Sequence, residues 1–455
     1  MVKTTVKIYA SLRLISLLFM GIVYANQNHD DFIDDVTNHR HIMVAPTKSS
    51  VDEITSLAQT QSLSSKNPAD EQNKCPLRVL ALGGGGTRGI GSAEILIALE
   101  NVIYETTGKK LDEFFDVIVG TSTGGILAAG IGAGLGAGLG ATKLKEFYYN
   151  ESQKIFKTNG ILQWLLGGIW GPNYSTDGLR ETIQKHIKLK TMSELKTHIG
   201  LTVYDDVNER THLLTNEVPK EIQIDYTKTD LPAGNLNIID GLEATSAAPT
   251  YFAKKVIPEG TLLDNSTYTG AVHQYVDGGV SANDPAALAK AYAQRLINQG
   301  VFDETYSGEI QLVSIGTGRE KPIVFNEKAG IFGFGSPSNI PSYFMNSAEA
   351  ATHAILAAEM QEGKNYFRLQ FDLPYAIPLD TTDQKTLKLV EQKAHAATET
   401  NYFQKMIEVL CGKSISKIQN SSLASKVSHP QFARIQKPER FINSLKQPSL
   451  VAAIA

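Results

Sequence analysis

Only two cysteines, Cys75 and Cys411, occur in 455 residues. That excludes a disulfide framework and a four-cysteine zinc site. Two free thiols or a single bridge remain, and distant cysteines carry no pairing information to favour the bridge. Basic charge is in slight deficit, 43 Lys and Arg against 47 Asp and Glu, so no global positive field points to nucleic acid. No apolar run reaches the ~20 residues needed to span a bilayer. Glycine and proline, 38 and 17 residues, stay near ordinary usage, which excludes a collagen-like or low-complexity chain. With 42% hydrophobic and 20% charged residues, the chain can instead bury a sizeable core, as two domains or one large one with extensions.

Lys3, Lys7 and Arg13 precede an apolar run from Leu14 to Val23, and Val23-Tyr24-Ala25 offers a small-residue exit. This pattern reads as a secretory signal peptide over residues 1–25, with an extracellular or periplasmic mature protein. Residues 26–74 are polar and read as a leader, with a short helix at Val51–Leu57. The folded unit is expected over 75–375. Arg78 to Leu82 is a short apolar strand that runs into four glycines, and Ile90 to Tyr104 has helical spacing. Phe115 to Val119 is a second strand, followed by a glycine-rich turn and another apolar helix. Strand, glycine turn and helix, repeated, indicate an α/β layered fold. Leu201–Tyr204, Tyr275–Val276 and Gln311–Ile315 are further strands. The alternating glycines from Gly130 to Gly140 read as a flexible connector or as tight helix packing. Residues 376–455 are expected to be a helical extension, patterned from Thr382 to Leu410, and then a basic tail, solvated or bound to an anionic membrane surface.

Three constellations could carry chemistry. Gly83-Gly84-Gly85-Gly86-Thr87-Arg88-Gly89 lies between a strand and a helix, where backbone N–H groups can converge on an anion. Gly84, Gly86 and Gly89 fit a dinucleotide-binding turn. That reading needs an acidic residue ending the second strand, and Gly120-Thr121-Ser122 stands there instead. Gly120-Thr121-Ser122-Thr123-Gly124 has the spacing of a nucleophile elbow, in which a sharp turn exposes the hydroxyl; a plain helix cap is the alternative. Asp277-Gly278-Gly279 is by itself an ordinary turn. It matters because a serine hydroxyl needs a neighbouring base. His273 is the best histidine for a triad, but a direct Ser–Asp dyad needs none.

Taken in order, these motifs resemble those of the patatin-like phospholipases, and of the plant patatins in particular. Gly171-Pro172-Asn173-Tyr174, Ala244-Thr245-Ser246-Ala247-Ala248-Pro249-Thr250-Tyr251-Phe252 and Ser314-Ile315-Gly316-Thr317-Gly318 agree as well, so the core motifs run from 77 to 318. The resemblance implies a three-layer α/β sandwich around a mainly parallel central sheet, and a lipid acyl hydrolase with a Ser–Asp dyad. It makes Ser122 the nucleophile and Asp277 the general base. Gly120 and Gly124 shape the elbow, and Gly278 and Gly279 the base turn. Amides among Gly84, Gly85 and Gly86 form the oxyanion hole, with Arg88 and Gly89 supporting that loop. It implies no cofactor and no metal. Gly83 departs from the family, where Asp often stands, and altered loop support is expected.

The implied partners are a lipid substrate and, transiently, a membrane surface; an activating protein and the oligomeric state are left open. Residues Ile161 to Trp170 hold both tryptophans, Trp164 and Trp170, among mostly apolar residues. Indoles favour the membrane–water interface, so this segment reads as a lid or lipid-contact surface, or as core. Ile331 to Phe344 is a weaker candidate of the same kind. A catalytically silent protein on the same scaffold is the rival from another class, and the joint presence of Ser122, Asp277 and the glycine loop argues against it.

Overall fold

The computed structural model describes residues 74–135, 140–157, 171–220, 224–258, 260–263, 272–320 and 339–412. All of them belong to the unit that begins at Glu71. The signal run, the leader with Val51–Leu57, Trp164 and Trp170, residues 331–338 and the basic tail lie outside the described residues.

Among the described residues, nine strands form one sheet. Strand β1 (Cys75–Leu82) is buried on both faces and reads as an almost unbroken apolar run, as a central parallel strand should. Helix α1 (Gly89–Thr107) returns the chain, and Gly108 ends it in the left-handed region, its N–H donating to the Tyr104 carbonyl. Strand β2 (Val117–Thr121) follows beside β1. It starts two residues later than the apolar pattern suggests. Asp116 instead accepts from the Arg78 N–H and the Tyr306 hydroxyl, each at 2.7 Å, and locks the strand entry.

Helix α2 (Thr123–Gly130) runs on into a wider turn, Ile131–Leu135, which breaks at Gly134 with φ 75°. Gly134 ends the helix, while Gly132 lets it approach Ile199, which a Cβ would meet at 3.0 Å. Helices α3 (Gly140–Ile155) and α4 (Asp177–His186) lead to β3 (His198–Asp205) and β4 (Arg210–Thr215). Then come β5 (Asp230–Pro232), α5 (Ile238–Thr245), β6 (Lys255–Pro258) and β7 (Val272–Asp277). Helix α6 (Ala286–Asn298), β8 (Tyr306–Ile315), α7 (Asn339–Met360), β9 (Tyr366–Leu369), α8 (Gln384–Thr398) and α9 (Asn401–Cys411) complete the order.

The main path of the sheet is β5-β4-β3-β2-β1-β8-β9, and every pair from β3 to β9 along it is parallel. Side-chain alternation divides the core into two layers. Leu77, Val79 and Ala81 face one side with Ala289, Tyr292 and Leu296 of α6. Leu80 and Leu82 face the other with Ile90, Leu96 and Leu99 of α1. The architecture is therefore a three-layer α/β sandwich around a mainly parallel sheet.

One boundary needs correction. Helices α8 and α9 are not an extension beyond residue 375. Leu387, Val390, Ala394, Phe403, Met406, Ile407 and Leu410 are all buried in the layer that holds α1. Gly91 permits this contact, because a Cβ there would meet Phe371 at 2.4 Å and Val390 at 3.2 Å. The Asp383 and Thr400 side chains cap the two helices. The described fold runs to Gly412.

Candidate active site

Strand β3 has two neighbours on one edge, laid end to end. Its other edge is taken by β4 from Gly200 to Asp205. Along the first edge, β2 pairs until Thr121 meets Thr202. There β2 stops, and β7 takes over antiparallel, with Asp277 opposite Val203. The residue after Thr121 is Ser122. The topology thus brings Ser122 and Asp277 together at one junction, although 155 positions separate them in sequence.

Ser122 adopts φ 55°, ψ −122°, a conformation an L-residue adopts only under strain, with a typical cost of about 1–3 kcal/mol. The residues two positions to either side must be glycines. A Cβ on Gly120 would lie 2.2 Å from the Gly124 carbonyl oxygen, and one on Gly124 would lie 2.1 Å from that of Leu82. The Ser122 side chain makes no capping bond to α2. It instead lies against the Asp277 carboxylate and favours that group's charged form.

Asp277 is 5% exposed. Burial pushes its carboxyl up to about 6, against the nearby Ser122 hydroxyl and the hydrogen bond from the Gly279 N–H, which favour the anion. The Gly279 bond is 2.7 Å long. Gly278 is packed on β3, where a Cβ would sit 2.4 Å from the Thr202 carbonyl oxygen.

The glycine loop lies directly against the elbow: a Cβ on Gly84 would be 3.3 Å from that of Ser122. The three glycines are not equivalent. The Gly84 N–H donates to the Asn283 carbonyl at 3.1 Å, so it is already engaged and drops out of the set of free donors. Its own carbonyl accepts from the Thr317 hydroxyl at 2.8 Å. The Gly85 and Gly86 amides make no such bond among the described residues. Gly86, at φ 58°, packs under Leu379. Backbone bonds from Gly83 to Ile315 and from Thr87 to Leu379 anchor the loop without an acidic side chain at position 83. The Arg88 guanidinium is buried, which lowers its pKa, and is held by Glu320 at 2.6 Å. Gly89 lets α1 start against the elbow, since a Cβ would come within 2.5 Å of both the Thr123 and Tyr148 hydroxyls.

His273 does not join Ser122. Its Nδ1 lies 2.5 Å from the Asp205 carboxylate, and its ring stacks on Tyr226 at 3.9 Å. Several contributors lie outside the three sequence constellations. Asn283 carried no sequence signal. Thr245 and Ala247 lie within the Ala244–Phe252 run, whose length alone marked it. The Thr245 hydroxyl accepts from the Ser122 N–H, and the Ala247 carbonyl accepts from the Asp277 N–H. Further on, Thr250 and Tyr251 accept from the Asn173 and Tyr174 N–H groups, which joins two of the quoted motifs.

The fold and the site define an α/β-sandwich protein that presents a strained serine against a buried carboxylate beside a glycine loop. Residues 80–290 match the family model described as patatin-like phospholipase and form a domain of that family. It is 30% identical over 252 residues to a protein named cGAMP-activated phospholipase from Escherichia coli (strain TW11681), covering 54% of this chain and 63% of that one. The chain thus spans less than two thirds of that relative's length. Patatin-like protein 2 of Oryza sativa subsp. indica is 28% identical over 323 residues, covering 65% of this chain and 76% of the rice protein. The crystal structure of VipD from Legionella pneumophila covers 77% of this chain and 72% of its own at a TM-score of 0.37 and 12% identity.

Proposed function

We propose that the protein hydrolyses fatty-acyl esters of membrane lipids, with Ser122 as nucleophile and Asp277 as general base. The observation that carries this reading is the strained Ser122 at the end of β2, brought by the β2/β7 junction against a buried carboxylate whose pKa is pushed to about 6. Such a carboxylate is mostly ionised at pH 7, yet more basic than an exposed one, as proton abstraction requires.

In this mechanism Ser122 Oγ attacks the ester carbonyl carbon while its proton passes to Asp277. The carbonyl oxygen becomes an oxyanion against the Gly85 and Gly86 amides, and losing one such donor costs about 3–4 kcal/mol of transition-state stabilisation. The C–O bond to the alcohol breaks, and the alcohol leaves with the proton from Asp277. Water then gives a proton to Asp277 and attacks the acyl-enzyme. Collapse of that second intermediate frees the fatty acid, and Ser122 recovers its proton. Arg88, paired with Glu320, steadies the loop. The segment holding Trp164 and Trp170 serves as the lipid-facing lid. The N-terminal signal peptide sends the enzyme out of the cytosol, and no cofactor takes part.

Fatty-acid release from phospholipid vesicles tests the reading, using wild type, Ser122→Ala, Asp277→Asn and His273→Ala. Because the E. coli relative is named for activation by cGAMP, each is assayed with and without that dinucleotide. Release by wild type and His273→Ala alone is expected. Release by Ser122→Ala at the wild-type rate would refute the proposal.

A further inference from the structure

We infer that Thr245 is a positioning residue that, with Ala247, sets the placement of Ser122 against Asp277. The inference rests on the Ser–Asp reading above and adds the device that holds the pair in register. Because β2 stops pairing at Thr121, the Ser122 N–H has no partner in the ladder. It donates to the Thr245 Oγ1 at 3.0 Å. That hydroxyl donates its own hydrogen bond to the Thr202 carbonyl at 2.6 Å. Its donor role is therefore used on β3, and a lone pair is left aimed at the elbow. Thr245 is fully buried.

The same short stretch of chain holds the base. Two residues after Thr245, the Ala247 carbonyl accepts the Asp277 N–H at 3.0 Å. The Thr202 carbonyl that anchors Thr245 also lies under Gly278, the residue after the base. Nucleophile and base are thus tied to one turn and to one carbonyl of β3. A Cβ on Gly125 would meet the Thr245 methyl at 2.9 Å, so the threonine rotamer is fixed from that side as well. A displacement of about 1 Å can cost ~100-fold in rate, so loss of this bond should fall on turnover and not on binding.

The test is steady-state hydrolysis of a water-soluble short-chain p-nitrophenyl ester by Thr245→Val and Thr245→Ser, beside Ser122→Ala and Asp277→Asn. Valine keeps the shape and removes the hydroxyl; serine keeps the hydroxyl. Thr245→Val is expected to lower kcat about 10- to 100-fold with KM within about threefold, and Thr245→Ser to stay within about fivefold of wild type. Should the valine variant not fold, Thr245→Ala carries the same expectation. Wild-type kcat in Thr245→Val, with Ser122→Ala inactive, overturns the positioning role alone. Equal loss in the valine and serine variants overturns it too, since methyl packing would then be responsible. Full activity in Ser122→Ala would instead overturn the Ser–Asp reading itself.

Discussion

Replacing Asp277 by Asn should stabilise this protein at neutral pH while abolishing its activity. The carboxyl rises from an ordinary value of 3.8 to about 6 because it is buried, with only the Ser122 hydroxyl and the Gly279 N–H to oppose the shift. A folded-state pKa above the unfolded one means that the folded protein holds the proton more tightly. The resulting stability is fully present below about pH 4 and is lost as pH rises through 6. A shift of about two units corresponds to about 3 kcal/mol, so at pH 7–8 the buried carboxylate weighs against folding by that amount. Asparagine keeps the shape, its Oδ1 can still accept from the Gly279 N–H while its NH2 can donate to the Ser122 hydroxyl, and it has no charge to desolvate. Urea denaturation of both proteins from pH 4 to 8 checks this. The variant should gain on wild type progressively, by up to about 3 kcal/mol above pH 7. In parallel, wild-type kcat/KM on a soluble ester should rise through pH 6 to a plateau. A stability difference that stays constant with pH would refute the reasoning, because the carboxyl would then be as well solvated in the folded state as in the unfolded one.

Two other perturbations separate structure from chemistry. His273→Ala should cost about 3 kcal/mol, since it leaves the fully buried Asp205 without its closest partner, yet the folded variant should hydrolyse a soluble ester at the wild-type rate. Chemical denaturation and steady-state kinetics on the same sample decide between the two effects. Removing residues 376–455 should prevent folding. Leu387, Val390, Phe403, Met406, Ile407 and Leu410 are all buried, and at about 1.5–3 kcal/mol each their loss rivals the typical stability of a whole domain, about 5–15 kcal/mol. A truncated chain with a cooperative melt would contradict this.

The parts of the site legible in the sequence are those whose physical cause is local. Gly120 and Gly124 are required by the backbone that crosses within two residues of Ser122, and the strand and helix on either side have their own apolar periods. The layered fold follows from the same signals, since β1 and β2 each lead through glycine into a helix. What was not legible depends on partners chosen by packing. The availability of the Gly84 amide is decided by Asn283, 199 positions away. His273 stands four residues before Asp277 and looked like a base, but its strand places it on Asp205. Thr245 gave no sign of its bond to Ser122, because the contact forms only where β2 ends and β7 begins along β3. From sequence, helices α8 and α9 look like an appendage, because amphipathic spacing names a buried face without naming what buries it.

The most direct test of the central claim is where an acyl-mimicking probe attaches. Wild type and Ser122→Ala would be treated with an alkyl fluorophosphonate, and intact and peptide masses measured. One adduct per chain on the peptide that contains Ser122, absent from the variant, is the predicted result. An adduct that persists in Ser122→Ala, or active wild type that takes up none, would contradict a Ser122 nucleophile.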